Sequence, residues 1–381
     1  RNTILKYISS SRLALVLVFV ILIFFVIGAV LPQQGLHNEG EIVRWQGDNP
    51  LITSIAKPLG FFRVFTSIPF IVIIFLLWLN TLTCTIKEFY KRGSFKCFTG
   101  ADKIKNSGFF LLHISILLMI GSGGWSAATK MDARIILTEG QTFTESHNNY
   151  RRITKGPLRN DKHKGFVIKL NKVSVDYESK IYHVDTASEI SIFENGKKVD
   201  DYEIKINNPL EYSNINITQD KTGYSPHIAI KSIKTGRVII NSFIALKTFE
   251  EYKKREYKDY IPSTLFNNII VLTFFPDHEE KDGKIIKTGE NIVNPVLLVE
   301  EKDHEGNIIS RQTLSLKSSI TIGEHNFSFV GVRRWASFRL LEDPGYKYFY
   351  FAVWLSIFSL LLRYSEDLYH LFRKDKRGIS S

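Results

Sequence analysis

Ten histidines and two cysteines are the residues of this 381-residue chain best suited to metal or thiol chemistry. His147, His163, His183, His227, His278, His304 and His325 are scattered through a polar stretch full of turn signals. None makes an HxH, an HExxH or a His-carboxylate motif, so each is expected on a surface or in a turn. No GxSxG and no phosphate-binding glycine loop occurs, so nothing supports a hydrolase or a nucleotide enzyme. Two cysteines exclude a disulfide framework, and the absence of CxxCH excludes covalent c-type haem attachment to this chain.

His113 differs from the others. It stands in the uncharged run FFLLHISILLM. An ionisable side chain in such a segment is costly to bury in lipid and faces a partner, a cavity or a cofactor. Its imidazole has two readings: a hydrogen bond to a neighbouring helix, with Asn80 and Thr83 as candidates, or axial ligation of haem iron. The residues alone leave both open. Further along, Gly121, Ser122, Gly123 and Gly124 suit close helix packing or an unwound exit.

The elements that must position His113 are apolar blocks. They run Leu13–Leu31, Ile68–Thr85, Gly108–Ala128 and Tyr346–Arg363. About 20 residues at roughly 1.5 Å each cross a hydrocarbon core of about 30 Å, so four transmembrane helices are expected. The first could be a signal peptide, but Pro32-Gln33 is a poor cleavage site and further spans follow. The chain begins at Arg1, not Met, so its true start is expected to lie upstream. A tyrosine and tryptophan cluster marks one end of the fourth block as an interfacial belt.

Charge gives the orientation. Of the net +12, nine units sit on the N-terminus, the 86–107 loop and the tail. Basic residues favour the inner face, which puts both termini and that loop in the cytoplasm. The balanced first loop and the long stretch after the third block then lie outside, where +3 spread over such a surface is no nucleic-acid footprint. Cys84 and Cys97 fall on the inner side, as expected of unpaired thiols in a reducing compartment.

Between Arg134 and Val332 short β-branched alternations are separated by turns. Hairpins are predicted about Asn195-Gly196, Thr235-Gly236 and Gly306, with a strand over Gly165–Tyr177 and a late one in HNFSFVGVRRW. This predicts an antiparallel sandwich or barrel-like domain. The charged segment Thr248–Tyr260 is predicted to be a solvated surface helix, with a binding arm as the alternative. In the first outer loop, Leu51, Ile52, Ile55, Leu59, Phe62 and Phe65 recur near helical spacing, which predicts a short interfacial helix.

The expected fold class is an integral membrane protein. Four transmembrane α-helices carry a large, mainly antiparallel β extracytoplasmic domain inserted between helices 3 and 4. Its organisation is an N-terminus and first span over 1–31, an outer loop with interfacial helix over 32–67, and a second span over 68–85. A basic cytoplasmic loop (86–107), a third span (108–128), the β domain (129–345), a fourth span (346–363) and a cytoplasmic tail (364–381) complete it.

Several features together resemble the ResB-type cytochrome c biogenesis proteins. SRLALVLVFVILIFFVIGAVLPQ resembles the family's opening, LGFFRVFTSIPF followed by WLNTLTC its second span, and GFFLLHISILLMIGSGG its histidine-bearing third span. NNPLEY with the later GYSPHIAIKSIKTG resembles its Asn-Pro-Leu region, and EDPGYKYFYFAVWLSIFSLLL its last span. The Asn-Pro-Leu region lacks the usual Tyr-Gln pair, and Thr248 to Phe275 matches no motif of the family.

The resemblance implies one half of a System II cytochrome c synthase (haem lyase), a non-catalytic or co-catalytic subunit. Its partner would be a CcsA-type protein with a tryptophan-rich haem-handling segment; the five tryptophans here are isolated. On this reading His113 ligates the iron of haem b, a transient and substrate-like cofactor, together with a partner histidine. Apocytochrome c and a thiol-reducing thioredoxin-like protein are further implied partners. The implied location is the plasma (inner) membrane, or the thylakoid membrane in a plastid. A non-enzymatic membrane-anchored scaffold with a β ectodomain is the competing reading. A transporter is the weakest, since the spans carry no acidic residue and no inverted repeat.

Overall fold

The computed structural model describes residues 6–37, 39–92, 100–160, 162–177, 183–251, 254–261, 266, 268–281 and 283–365. The chain divides into two compact units, Arg1–Ala128 with Pro344–Ser381, and Thr129–Asp343.

The first unit is helical. Its elements are α1 (Ser11–Val30), α2 (Glu39–Asp48), α3 (Pro50–Ala56), a 3-10 turn (Phe61–Thr66), α4 (Ile68–Arg92), α5 (Gly100–Thr129) and α6 (Tyr346–Arg363). Three of them, α1, α4 and α5, are long and apolar enough to cross a membrane. α6 forms over the residues expected of the fourth span, with Lys347 and Arg363 near its two ends. Both α4 and α5 extend into the 86–107 loop, and Cys97 lies outside the described residues.

Buried amides fasten this unit. Asn80 of α4, 1% exposed, donates through Nδ2 to the carbonyls of Ile8 and Ser10, holding the start of α1. Gln33, at the exit of α1, donates to the carbonyls of Leu31 and Phe61 at 3.0 Å each and accepts from the Val64 N–H at 3.0 Å. Each amide group is thus satisfied where an unpaired one would cost about 1–3 kcal/mol.

The interfacial helix predicted over Pro50–Phe65 breaks at Gly60, whose φ of +72° is left-handed. Leu51, Ile52, Ile55, Leu59 and Phe65 remain exposed, while Phe62 turns into a small core with Leu31, Ile42 and Ala56. α2, which lacks an apolar repeat, was not expected.

The second unit is β, and all its strand pairings are antiparallel among the described residues. Its spine is a ribbon of two 18-residue strands, Ile215–Ser232 and His325–Glu342, inside a seven-stranded sheet. A four-stranded sheet and a five-stranded sheet cover successive lengths of that ribbon. The first core takes Ile215, Ile217, Ala336, Phe338 and Leu340 from the ribbon. The second takes Tyr224, Ile228, Ile230, Phe327 and Phe329.

Each ribbon strand therefore changes the parity of its buried positions. The register shifts fall at Asp220 on one strand and Val330 on the other. One extra residue at each bulge keeps the apolar side chains on a single face across both cores.

The predicted hairpins form. Asn195 (φ +50°) and Gly196 (φ +77°) make the turn between His183–Glu194 and Lys197–Lys205, as a tight hairpin with two left-handed residues requires. Gly236 and Gly306 also sit at turns with positive φ.

The surface helix predicted over Thr248–Tyr260 is not there. The chain forms strands Lys247–Glu251 and Lys254–Ile261, paired with each other, the second joining the five-stranded sheet. Charge density obscured a period of two: Tyr257 and Ile261 enter the second core, while Glu256 and Tyr260 on the other face are exposed. Lys247 meets Asp259 across the hairpin at 3.0 Å.

Candidate functional site

The site is built on α5, and its rigid backing is α6. Gly108, Ser115 and Ser122 of α5 recur every seven residues, as do Gly345, Ala352 and Ser359 at the start of and along α6, and all six are buried. A Cβ on Gly108 would lie 2.6 Å from the Arg363 nitrogen and 2.8 Å from the Ser359 oxygen. At the other end, a Cβ on Gly345 would lie 2.7 Å from Ser126 and 2.8 Å from the Ser122 oxygen. The two helices are thus antiparallel with backbones in contact at both ends, the approach that small residues permit. On α4, Trp78 Nε1 donates to the Leu117 carbonyl at 3.1 Å, tying that helix to α5 as well.

His113 is five residues from Gly108, about 500° of rotation at roughly 100° per residue, which places it on the side of α5 away from α6. It is half-buried. Its Nδ1 lies 2.8 Å from the Phe109 carbonyl oxygen. A carbonyl only accepts, so Nδ1 carries the proton and Nε2 carries the lone pair of the neutral ring. The ring also lies against the Phe109 ring, with centroids 4.2 Å apart at 42°. One turn of helix therefore fixes both the tautomer and the ring plane, as backbone carbonyls do for metal-ligating histidines.

Asn80 and Thr83, the helix-packing candidates, are engaged elsewhere. Asn80 holds the start of α1, and the Thr83 hydroxyl donates to the carbonyls of Leu79 and Asn80 of its own helix. Among the described residues no side chain of a neighbouring helix bonds His113.

The glycine run serves helix packing through one of its residues and does not unwind. It stays helical to Thr129, and only Ser122 faces the α6 seam, while Gly123 and Gly124 are exposed with open space around them.

Among the described residues no group of three or more histidines, cysteines or carboxylates could hold a metal ion. One histidine left as a turn residue belongs to a buried cluster. Glu145, 1% exposed, accepts from Tyr150 Oη at 2.7 Å, from His163 Nδ1, and from the N–H groups of Lys164 and Gly165. Burial pushes its carboxyl up, but the four hydrogen bonds outweigh this and leave it below the usual carboxylate value. Burial, and after it the same carboxylate, raise the Tyr150 phenol. Glu145 and His163 stand eighteen positions apart, a separation that hid this cluster, which no spacing motif describes. A cleft of about 880 Å³ runs beside Ile135–Thr138 and Thr142–Thr144, with Arg151 in its lining.

Helices fit to cross a membrane, joined to a large antiparallel β unit and bearing one tautomer-fixed histidine, define the class: a membrane protein with a β domain. A model of the ResB-like family matches residues 11–92 and 97–236, which include α1, α4, all of α5 with His113, and the first part of the β unit. The chain belongs to the ResB-like family. A curated relative, the cytochrome c biogenesis protein CcsB of Microcystis aeruginosa, is 27% identical over 118 residues. That alignment covers 30% of this chain and about a quarter (26%) of the relative. A solved structure of the cytochrome c haem lyase CcmF overlays 90% of this chain and 38% of its own at 12% identity and a TM-score of 0.27, too slight a likeness to argue from.

Proposed function

We propose that the chain is a membrane subunit of the cytochrome c biogenesis apparatus, the ResB half of a System II synthase. In this reading α6 is a fourth span, both termini are cytoplasmic, and the β unit lies outside. The domain boundaries follow those predicted from the sequence. Haem b is held with its iron between His113 and a histidine of a CcsA-type partner. It then passes to an external site on that partner, and the β unit presents or shields apocytochrome c.

There each reduced thiol of the CxxCH motif adds across a vinyl group. A sulfur–carbon bond forms, the vinyl double bond is consumed, and the thiol hydrogen ends on the adjacent carbon. The thiols belong to the apocytochrome, kept reduced by a thioredoxin-like protein, and the reactive carbons belong to haem. This chain supplies ligation, positioning and partner contact.

The observation that carries the reading is the His113–Phe109 bond, which leaves the Nε2 lone pair outward on a helix face that α6 does not cover. A histidine with only a packing role would be expected to spend its polar atoms on neighbouring helices. Co-purification with a CcsA-type protein and comparison of the Soret band of wild type with His113→Ala tests it. Loss or displacement of the band in the variant is expected. An unchanged band would remove His113 as a ligand and favour the scaffold reading.

A further inference from the structure

We propose that Arg363 is a second contact of this chain with the haem, taking one of its propionate carboxylates. The inference rests on the haem reading of His113. It starts from how Arg363 is divided between two environments. Its backbone lies in the α5–α6 seam against Gly108, but its side chain leaves the seam and bends round α5. Nη1 donates to the Lys105 carbonyl at a long 3.4 Å, and the guanidinium carbon stands 5.9 Å from the centre of the Phe109 ring. The Phe109 ring in turn lies tilted against the His113 ring.

Imidazole, phenyl and guanidinium thus follow one another along α5, from within the apolar layer towards its basic end. Haem offers the same order: iron, the apolar rim of the macrocycle, then carboxylate. A carboxylate brought into an apolar helical layer is costly unless it is paired. Guanidinium stays charged at any relevant pH and presents five donors in a planar fork that matches a carboxylate. Among the described residues Arg363 uses a single weak hydrogen bond and meets no carboxylate, so the fork has donors to give.

The helix seam explains why the cation sits there. Gly108 lets α6 approach until the Arg363 backbone touches α5, and that contact sets where the side chain emerges. A topology signal alone would need a positive charge near the inner face, with no such placement beside the ligand histidine.

The test uses the full-length chain co-purified with its CcsA-type partner in neutral phosphatidylcholine nanodiscs, titrated with haem b and with its dimethyl ester while the Soret band is followed. Wild type is expected to bind the diacid about tenfold or more tighter than the ester, the usual scale of a charge-assisted hydrogen bond. Arg363→Gln should bind the diacid as weakly as the ester, and Arg363→Lys should fall between. At saturation the Arg363→Gln spectrum should match wild type, since ligation by His113 is intact. Circular dichroism should be unchanged, because the altered atoms lie outside the seam. If Arg363→Gln still prefers the diacid as wild type does, the carboxylate contact is elsewhere and the proposal falls alone. If His113→Ala keeps the wild-type Soret band, or if wild type binds neither porphyrin, the haem reading falls and takes the proposal with it.

Discussion

His113 Nδ1 lies 2.8 Å from the carbonyl oxygen of Phe109, one turn earlier on the same face of α5. The bond leaves Nε2 as the only nitrogen able to coordinate. If the ring serves as a ligand and not as a packing element, its job can be transferred to a diffusible imidazole. His113→Gly should lose the Soret band, and added imidazole should restore it in a concentration-dependent way. Failure of imidazole, with the helical content intact, would mean that His113 contributes something other than a nitrogen ligand.

The seam behind that face gives a stability prediction. Gly108→Ala puts a methyl group 2.6 Å from backbone on α6, where no side chain can swing aside. Overpacking of this kind costs about 1–3 kcal/mol. Gly123→Ala, with nothing within 4 Å, should be neutral or gain up to about 1 kcal/mol from better helix propensity. Denaturant titration in detergent, followed by circular dichroism, should separate the two variants. Equal midpoints would refute the backbone contact.

How much of this was legible in the sequence depends on how local the signal is. The apolar helices α1, α4 and α5 and the Asn195-Gly196 hairpin are short-range features, and each is where the sequence put it. The small-residue seam was half-visible: the conspicuous glycine run drew attention, yet the contacts use Ser122 and the distant Gly108 and Gly345. The ribbon was hidden by its own bulges, since Asp220 and Val330 break the alternation that identifies a strand running under two cores. Thr248–Tyr260 failed because charge was weighed above period. The partners of Glu145 are non-local, and only folding assembles them.

Where the ribbon passes from one core to the other, Gly223 lies opposite Trp335. A Cβ there would stand 2.7 Å from the Trp335 indole and 2.6 Å from the Thr248 hydroxyl. The indole is not free to yield, because its Nε1 donates to the buried Leu246 carbonyl at 3.0 Å. Gly223→Ala is therefore expected to destabilise the β unit by about 1–3 kcal/mol. Hydrogen exchange of the full chain should show faster exchange in Ile215–Ser232 and His325–Glu342 with α5 unaffected. Unchanged protection of both ribbon strands would contradict the packing described.

Acid should loosen the first β core through Glu145. Its carboxyl is lowered in the folded chain, so the unfolded chain binds the proton more readily. The stabilisation is complete above the ordinary glutamate value, near about 4.3, and is lost as pH falls through the lower folded value. Glu145→Gln keeps the shape but cannot accept from Tyr150, His163, Lys164 and Gly165 as a carboxylate does. At neutral pH it should cost about 1–3 kcal/mol, as a charged acceptor among buried donors is replaced by a neutral amide. Calorimetry of the full chain in nanodiscs from pH 7 to pH 3 should show the β-unit transition falling less steeply with acid in Glu145→Gln than in wild type. Parallel curves would show that the Glu145 carboxylate is not what the acid limb titrates.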